Sequence, residues 1–241
     1  MRLFIFNGVE EADKASAVKK LITQSTPSQD FFFMMALSIL MAVFGILLES
    51  VAVIIGSMLI APLLSSVLSL SLGITMADSK LIRRSFQTIL KSLILGVAVS
   101  TVATLIFGAK DIPEFFIVSS DPSLLAVAVA IVAGFAATFA LVKPKLNETL
   151  PGVAIAVALI PPIAFIGIGL AEMSWSMMTN ALILLGLNIA GIIFAGMITF
   201  SLMNFYTKKK VAEITVIKED KKLEEEEPKE KSTEDEQASS I

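Results

Sequence analysis

Six stretches free of charged side chains, each about long enough as a helix to cross lipid, dominate this 241-residue chain. They cover residues 31–48, 50–77, 92–109, 122–142, 149–171 and 173–207. A hydrocarbon core about 30 Å thick needs about 20 apolar residues in helical form. Lipid offers the backbone no hydrogen bonds, so runs of this length are helices. The shortest, 92–109, gains length from Lys91, whose stem can lie in the apolar layer while its ammonium reaches the interface. Apolar and polar residues do not alternate with period two, which disfavours a β-barrel. With 55% of its residues apolar, 17% charged and a mean hydropathy of +0.82, the chain lacks the polar surface to cover itself in water. The expected fold is an all-α polytopic membrane protein.

The connections alternate in charge. Lys14, Lys19 and Lys20 precede the first stretch; Lys80, Arg83 and Arg84 follow the second; Lys143 and Lys145 follow the fourth; Lys208, Lys209 and Lys210 end the sixth. Between them stand Glu49, a net acidic stretch holding Lys110, Asp111, Glu114 and Asp121, and Glu172 beside Trp175. This alternation predicts six plasma-membrane spans with both ends cytoplasmic. Residues 1–30 then form a cytoplasmic segment with a short amphipathic helix over 10–23, its Ala15, Val18, Leu21 and Ile22 on one side. A similar amphipathic stretch covers 78–90. Nearly half of all charges follow Tyr206, and the tail over 208–241, dense in charge from Glu219 on, is expected to be largely disordered. Residues 1–6 are too short an apolar run for a secretory signal.

The chain has no Cys and no His, which removes disulfides, thiolate nucleophiles, Cys/His zinc sites, His bases and haem ligation. No Asp pair or Ser–His pairing stands at mid-membrane depth, so no enzyme, cofactor or metal site is expected. The formal net charge of -3 carries no nucleic-acid footprint.

Comparing the chain with itself aligns residues 53–63 with 153–163 without gaps, matching Val, Ile, Leu-Ile and Pro. The two stretches lie in spans two and five, the middle spans of two three-helix halves over 31–109 and 122–207. Three is odd, so the second half is upside down relative to the first, an inverted repeat of the kind many transporters use. Pro62 inside a helix would free the carbonyl of Met58; Pro161 and Pro162 would free those of Val157 and Ala158. The Ser57, Ser65, Ser66 and Ser69 hydroxyls lie nearby, and Gly56 and Gly152 allow close backbone approach. These prolines are open to two readings, a kink that only shapes packing or a solute or ion site at the midplane. Freed carbonyls suit a cation, and half-helix N-termini suit an anion. Asn188, at mid-span depth, fits an interhelical hydrogen bond or a ligand contact. Glu49, Asn147 and Glu148 fall at membrane boundaries, and Gly186, Gly191 and Ala195 make a small-residue face for packing within or between subunits.

The stretches 56–63 and 150–162 resemble the two hallmark segments of a prokaryotic membrane family known as domain-of-unknown-function family 389, and 181–188 is similar to its last span. The resemblance runs over about residues 31–207 and implies a membrane fold without an assigned activity. Many relatives carry a larger soluble domain before the spans, where this chain has about thirty residues.

Two functions are expected. The first is transport of a small solute or ion through a path lined by Gly56, Ser57, Met58, Pro62, Ser65, Gly152, Val157, Ala158, Pro161, Pro162 and Asn188, in a chain that homo-oligomerises in the bilayer. The second is a non-transporting scaffold or assembly subunit that recruits partners through its cytoplasmic segments.

Overall fold

The structure, a computed structural model, describes residues 10–108, 123–143, 146 and 159–238. All elements among them are helical: α1 (Glu11–Gln24), α2 (Gln29–Leu47), α3 (Val51–Ile60), α4 (Leu63–Met76), α5 (Ser79–Phe107), α6 (Leu124–Val142), α7 (Ile160–Ala171), α8 (Trp175–Leu202) and α9 (Lys209–Ala238). A 3₁₀ turn at Phe205–Lys208 joins the last two.

Helices α2, α5, α6 and α8 are each long and apolar enough to cross a membrane, and α3 with α4, bent by 50° at their junction, makes a fifth candidate. This is a membrane protein with four or five candidate spans among its described residues, where the sequence predicts six. The difference lies in the stretch 149–171. Its described part, α7, has 12 residues, about 18 Å of helix, and residues 149–158 lie outside the description.

Local chemistry explains the boundaries. Ser28 opens α2 by accepting the Phe31 N–H, and Ser123 opens α6 by accepting that of Ala126. Asp78 Oδ1 takes the N–H groups of Lys80 and Leu81 at 3.0 and 3.1 Å and so starts α5. That cap sits just before the amphipathic stretch expected over 78–90. Past its cap the stretch is the first two-fifths of one 29-residue rod that continues through the third span. At about 44 Å it is longer than the hydrocarbon core, which leaves its charged start outside.

The tail also differs from expectation. Helix α9 occupies Lys209–Ala238, where charge density predicts disorder. Glu and Lys are good helix formers, a Lys222–Glu219 pair braces one turn at 3.1 Å, and Ala212 and Val216 are buried on α1. That apolar edge lies before Glu219, where the charge-dense part of the tail begins.

Helix α1 is buried more deeply than a surface helix: Ala17, Val18, Leu21 and Ile22 join the main core, with Ala17 in place of the expected Ala15. It packs on α4, α6 and α9. Ion pairs draw three distant parts of the chain to that end of the bundle. Lys208 Nζ lies 2.6 Å from Glu11, Asp220 lies 3.1 Å from Arg84 and 3.5 Å from Lys80, and Lys209 Nζ donates to the Ala77 carbonyl at 3.0 Å. Between Lys14 and Lys208, the Glu11 carboxyl is lowered from 4.5 to about 2.

Candidate functional site

The α3–α4 junction is the one place among the described residues where a candidate span breaks inside the bundle. Ala61 turns extended (φ -69°, ψ 125°) and Pro62 stands immediately before the first residue of α4. Proline is well placed there, because a helix start leaves N–H groups without intrahelical acceptors in any case. Pro161 and Pro162 likewise occupy the first turn of α7. The prolines therefore start helices, where the sequence expects them to interrupt helix interiors.

The freed oxygens differ from expectation accordingly. Ser38 Oγ, on α2, donates to the carbonyl of Ser57 at 2.7 Å, one residue before the expected Met58. The Ser57 hydroxyl donates to Ile54 in its own helix, also at 2.7 Å, so it does not face a cavity. Met58 packs half-buried against the core. Gly56 provides no close approach, since a Cβ added there would meet only Met41 at 3.6 Å. The close contact belongs to Gly45, whose added Cβ would fall 2.9 Å from the Ile54 nitrogen. Ser65 Oγ lies 3.5 Å from Gln24 Oε1.

Beyond the break, Ser66 and Ser69 are fully buried and their hydroxyls have no hydrogen-bond partner, whereas Ser71 Oγ donates to the Ile193 carbonyl of α8 at 3.2 Å. On the α5–α7 contact, Ser100 Oγ donates to Ala164 at 2.7 Å and Thr101 Oγ1 to Gly167 at 3.1 Å. These hydroxyls are in effect the polar seams of the bundle. Sequence reasoning named Ser66 and Ser69 only as neighbours and missed Ser38, Ser71, Ser100 and Thr101; the signal was a run of hydroxyl residues at helical spacing within apolar spans.

Asn188 is buried in α8, and Glu49 is exposed at the α2–α3 turn with φ 54°. Asn147, Glu148, Gly152, Val157 and Ala158 lie outside the described residues. The small-residue face of α8 is used within the chain. A Cβ on Gly191 would meet Ala130 of α6 at 3.0 Å, and one on Gly134 would meet Ala195 at 2.9 Å. Gly186 departs from this face: it has open space around it.

Two comparisons place the chain among known proteins. Residues 58–194 match the family described as "Domain of unknown function (DUF389)". An uncharacterized protein of Methanocaldococcus jannaschii is 32% identical over 209 residues, covering 80% of this chain and 63% of the relative's length. No solved structure matches.

Proposed function

The chain belongs to the DUF389 family, and on that premise and the geometry above we propose that it is a six-span inverted-repeat protein moving a small solute or ion past its broken spans. The observation that carries this reading is a pair of helix crossings with their residues exchanged. Gly167 of α7 lies against Ser100 of α5, and Gly196 of α8 lies against Ser71 of α4. Ser71 and Ser100 precede Gly167 and Gly196 by 96 residues each, so one contact maps onto the other with Ser and Gly swapped. A second crossing behaves alike: Gly96 lies against Ile39, and Gly134 against Ile192, at shifts of 96 and 95.

Helix direction supports inversion. The start of α5 and the segment after α8 meet through Lys80–Asp220 and Lys209–Ala77, so these equivalent rods run in opposite senses. Their packing favours a register one helical turn from the gap-free sequence match, with Ser65 and Ser66, rather than Pro62, opposite Pro161 and Pro162. Apolar helices repeat nearly every four residues, which makes such a slip easy in sequence. This reading keeps the sixth span that the sequence predicts over 149–171. On this reading the chain lies in a prokaryote's plasma membrane, with the basic connections and both termini on the cytoplasmic side. The open Gly186 lies on a face available to a second copy. The reading is of a non-enzymatic protein.

Solute flux into proteoliposomes tests this. We expect the wild-type chain to conduct, and the combined replacements Pro62→Ala, Pro161→Ala and Pro162→Ala to reduce flux without unfolding. Unchanged flux in that variant contradicts the assignment of the path.

One observation favours the second reading, a scaffold. Ile214 and Ile217 are exposed on the face of α9 turned away from α1, flanked by Lys210, Lys218 and Lys221. A scaffold shows no flux and loses its cellular phenotype when the tail after Tyr206 is deleted.

A further inference from the structure

The break between α3 and α4 is chemically lopsided. On its acceptor side the hydroxyls are committed to carbonyls, Ser38 to Ser57 and Ser57 to Ile54. On its donor side α4 begins, a 14-residue helix whose first N–H groups lack intrahelical acceptors and whose dipole places partial positive charge there. Only the Ser65 N–H turns back, to the Pro62 carbonyl at 3.2 Å.

Within the next two turns stand Ser66 and Ser69, both 0% exposed, their hydroxyls unpartnered. Side chains on a helix tilt toward its N-terminus, so both lean back toward the break. Three residues apart, they share a face with Gly73, which lies against Leu81 and Ile82 of α5. The buried carboxylates among the described residues, Asp78 and Glu219, sit at the far end of that hairpin and on α9. Arg84 of α5, near the same far end, is paired with Asp220 at 3.1 Å and takes no part in this site.

Donors, a positive helix end and no neighbouring carboxylate select an anion. With no guanidinium or ammonium among these donors, a dianion would keep too much of its desolvation cost. We infer that the start of α4, with the Ser66 and Ser69 hydroxyls as donors, binds a small monovalent inorganic anion such as bromide or nitrate. This rests on the proposed solute path and names the class of solute it takes.

The test uses the full chain in detergent, titrated with sodium bromide or nitrate against sodium gluconate at constant ionic strength, with thermal unfolding as the readout. A saturable upward shift specific to bromide and nitrate is expected. Ser66→Ala and Ser69→Ala should each weaken the apparent affinity roughly tenfold, while Ser66→Thr, which keeps the hydroxyl, should not. Equal titrations in wild type and both alanine variants overturn the site. If an alanine variant fails to fold, the wild-type titration alone decides, because a response no larger than that to gluconate overturns the proposal. Parallel flux assays with bromide, potassium and glycerol separate the two claims. Saturable anion binding without any flux removes the transport reading alone. Potassium or glycerol flux without an anion response removes the anion assignment alone.

Discussion

Glycine is used at several of the helix crossings because only the absence of a Cβ lets the rods touch. At Gly167 an added Cβ would fall 2.8 Å from the Val97 carbonyl and onto Ser100, and neither backbone nor a packed serine can retreat far. Gly167→Val should therefore destabilise the protein by about 1–3 kcal/mol, the usual range for overpacking. Gly186 is the internal control. Open space surrounds it, so Gly186→Ala should be neutral or stabilise by about 0.5–1 kcal/mol through helix propensity. Thermal unfolding of the two variants in the same detergent checks both. Residue-level legibility follows the same line. That glycines and serines punctuate the spans was readable, but which glycine meets a neighbour was not. Gly56 and Gly186 carry the same sequence signal as Gly45 and Gly191, and only the crossing points of distant helices separate them.

At the scale of elements, the ends of the chain form a clamp. Glu11 of α1 holds Lys208, Asp220 of α9 holds Arg84 and Lys80, and Thr23 donates to Glu219 at 3.2 Å. The Glu11 carboxyl is lowered from 4.5 to about 2, first by its hydrogen bond with Lys14 and then by Lys208. A depressed carboxylate contributes stability that is present above its unfolded value and lost as pH falls through the folded one. Its part of the clamp should thus hold at neutral pH and release progressively between about 4.5 and 2. Hydrogen exchange over residues 209–226 should rise across that window in the wild type, and Glu11→Gln should show raised exchange already at neutral pH with a weaker response to acid. No change with pH in the wild type would contradict a role for Glu11. The charges of this clamp were legible in the sequence as a topological signal. Their pairing was not, because it joins residues nearly two hundred positions apart and depends on α9 being a helix.

On the proposed reading, the whole molecule is two three-helix units packed upside down, each lending the other its crossing partners. The apolar runs made the long rods legible, and the alternation of loop charge gives an expectation for their directions. The register proposed for the two halves differs from the sequence match because a one-turn slip leaves an apolar helix almost unchanged in composition. The absence of cysteine offers a direct measurement of this architecture. Single replacements Lys80→Cys, Lys143→Cys, Glu49→Cys and Glu172→Cys, probed in sealed membranes with a thiol reagent that cannot cross lipid, report the side of each connection. Inversion predicts that Lys80→Cys and Lys143→Cys label from one side and Glu49→Cys and Glu172→Cys from the other. Labelling of Lys80→Cys and Lys143→Cys from opposite sides would contradict it.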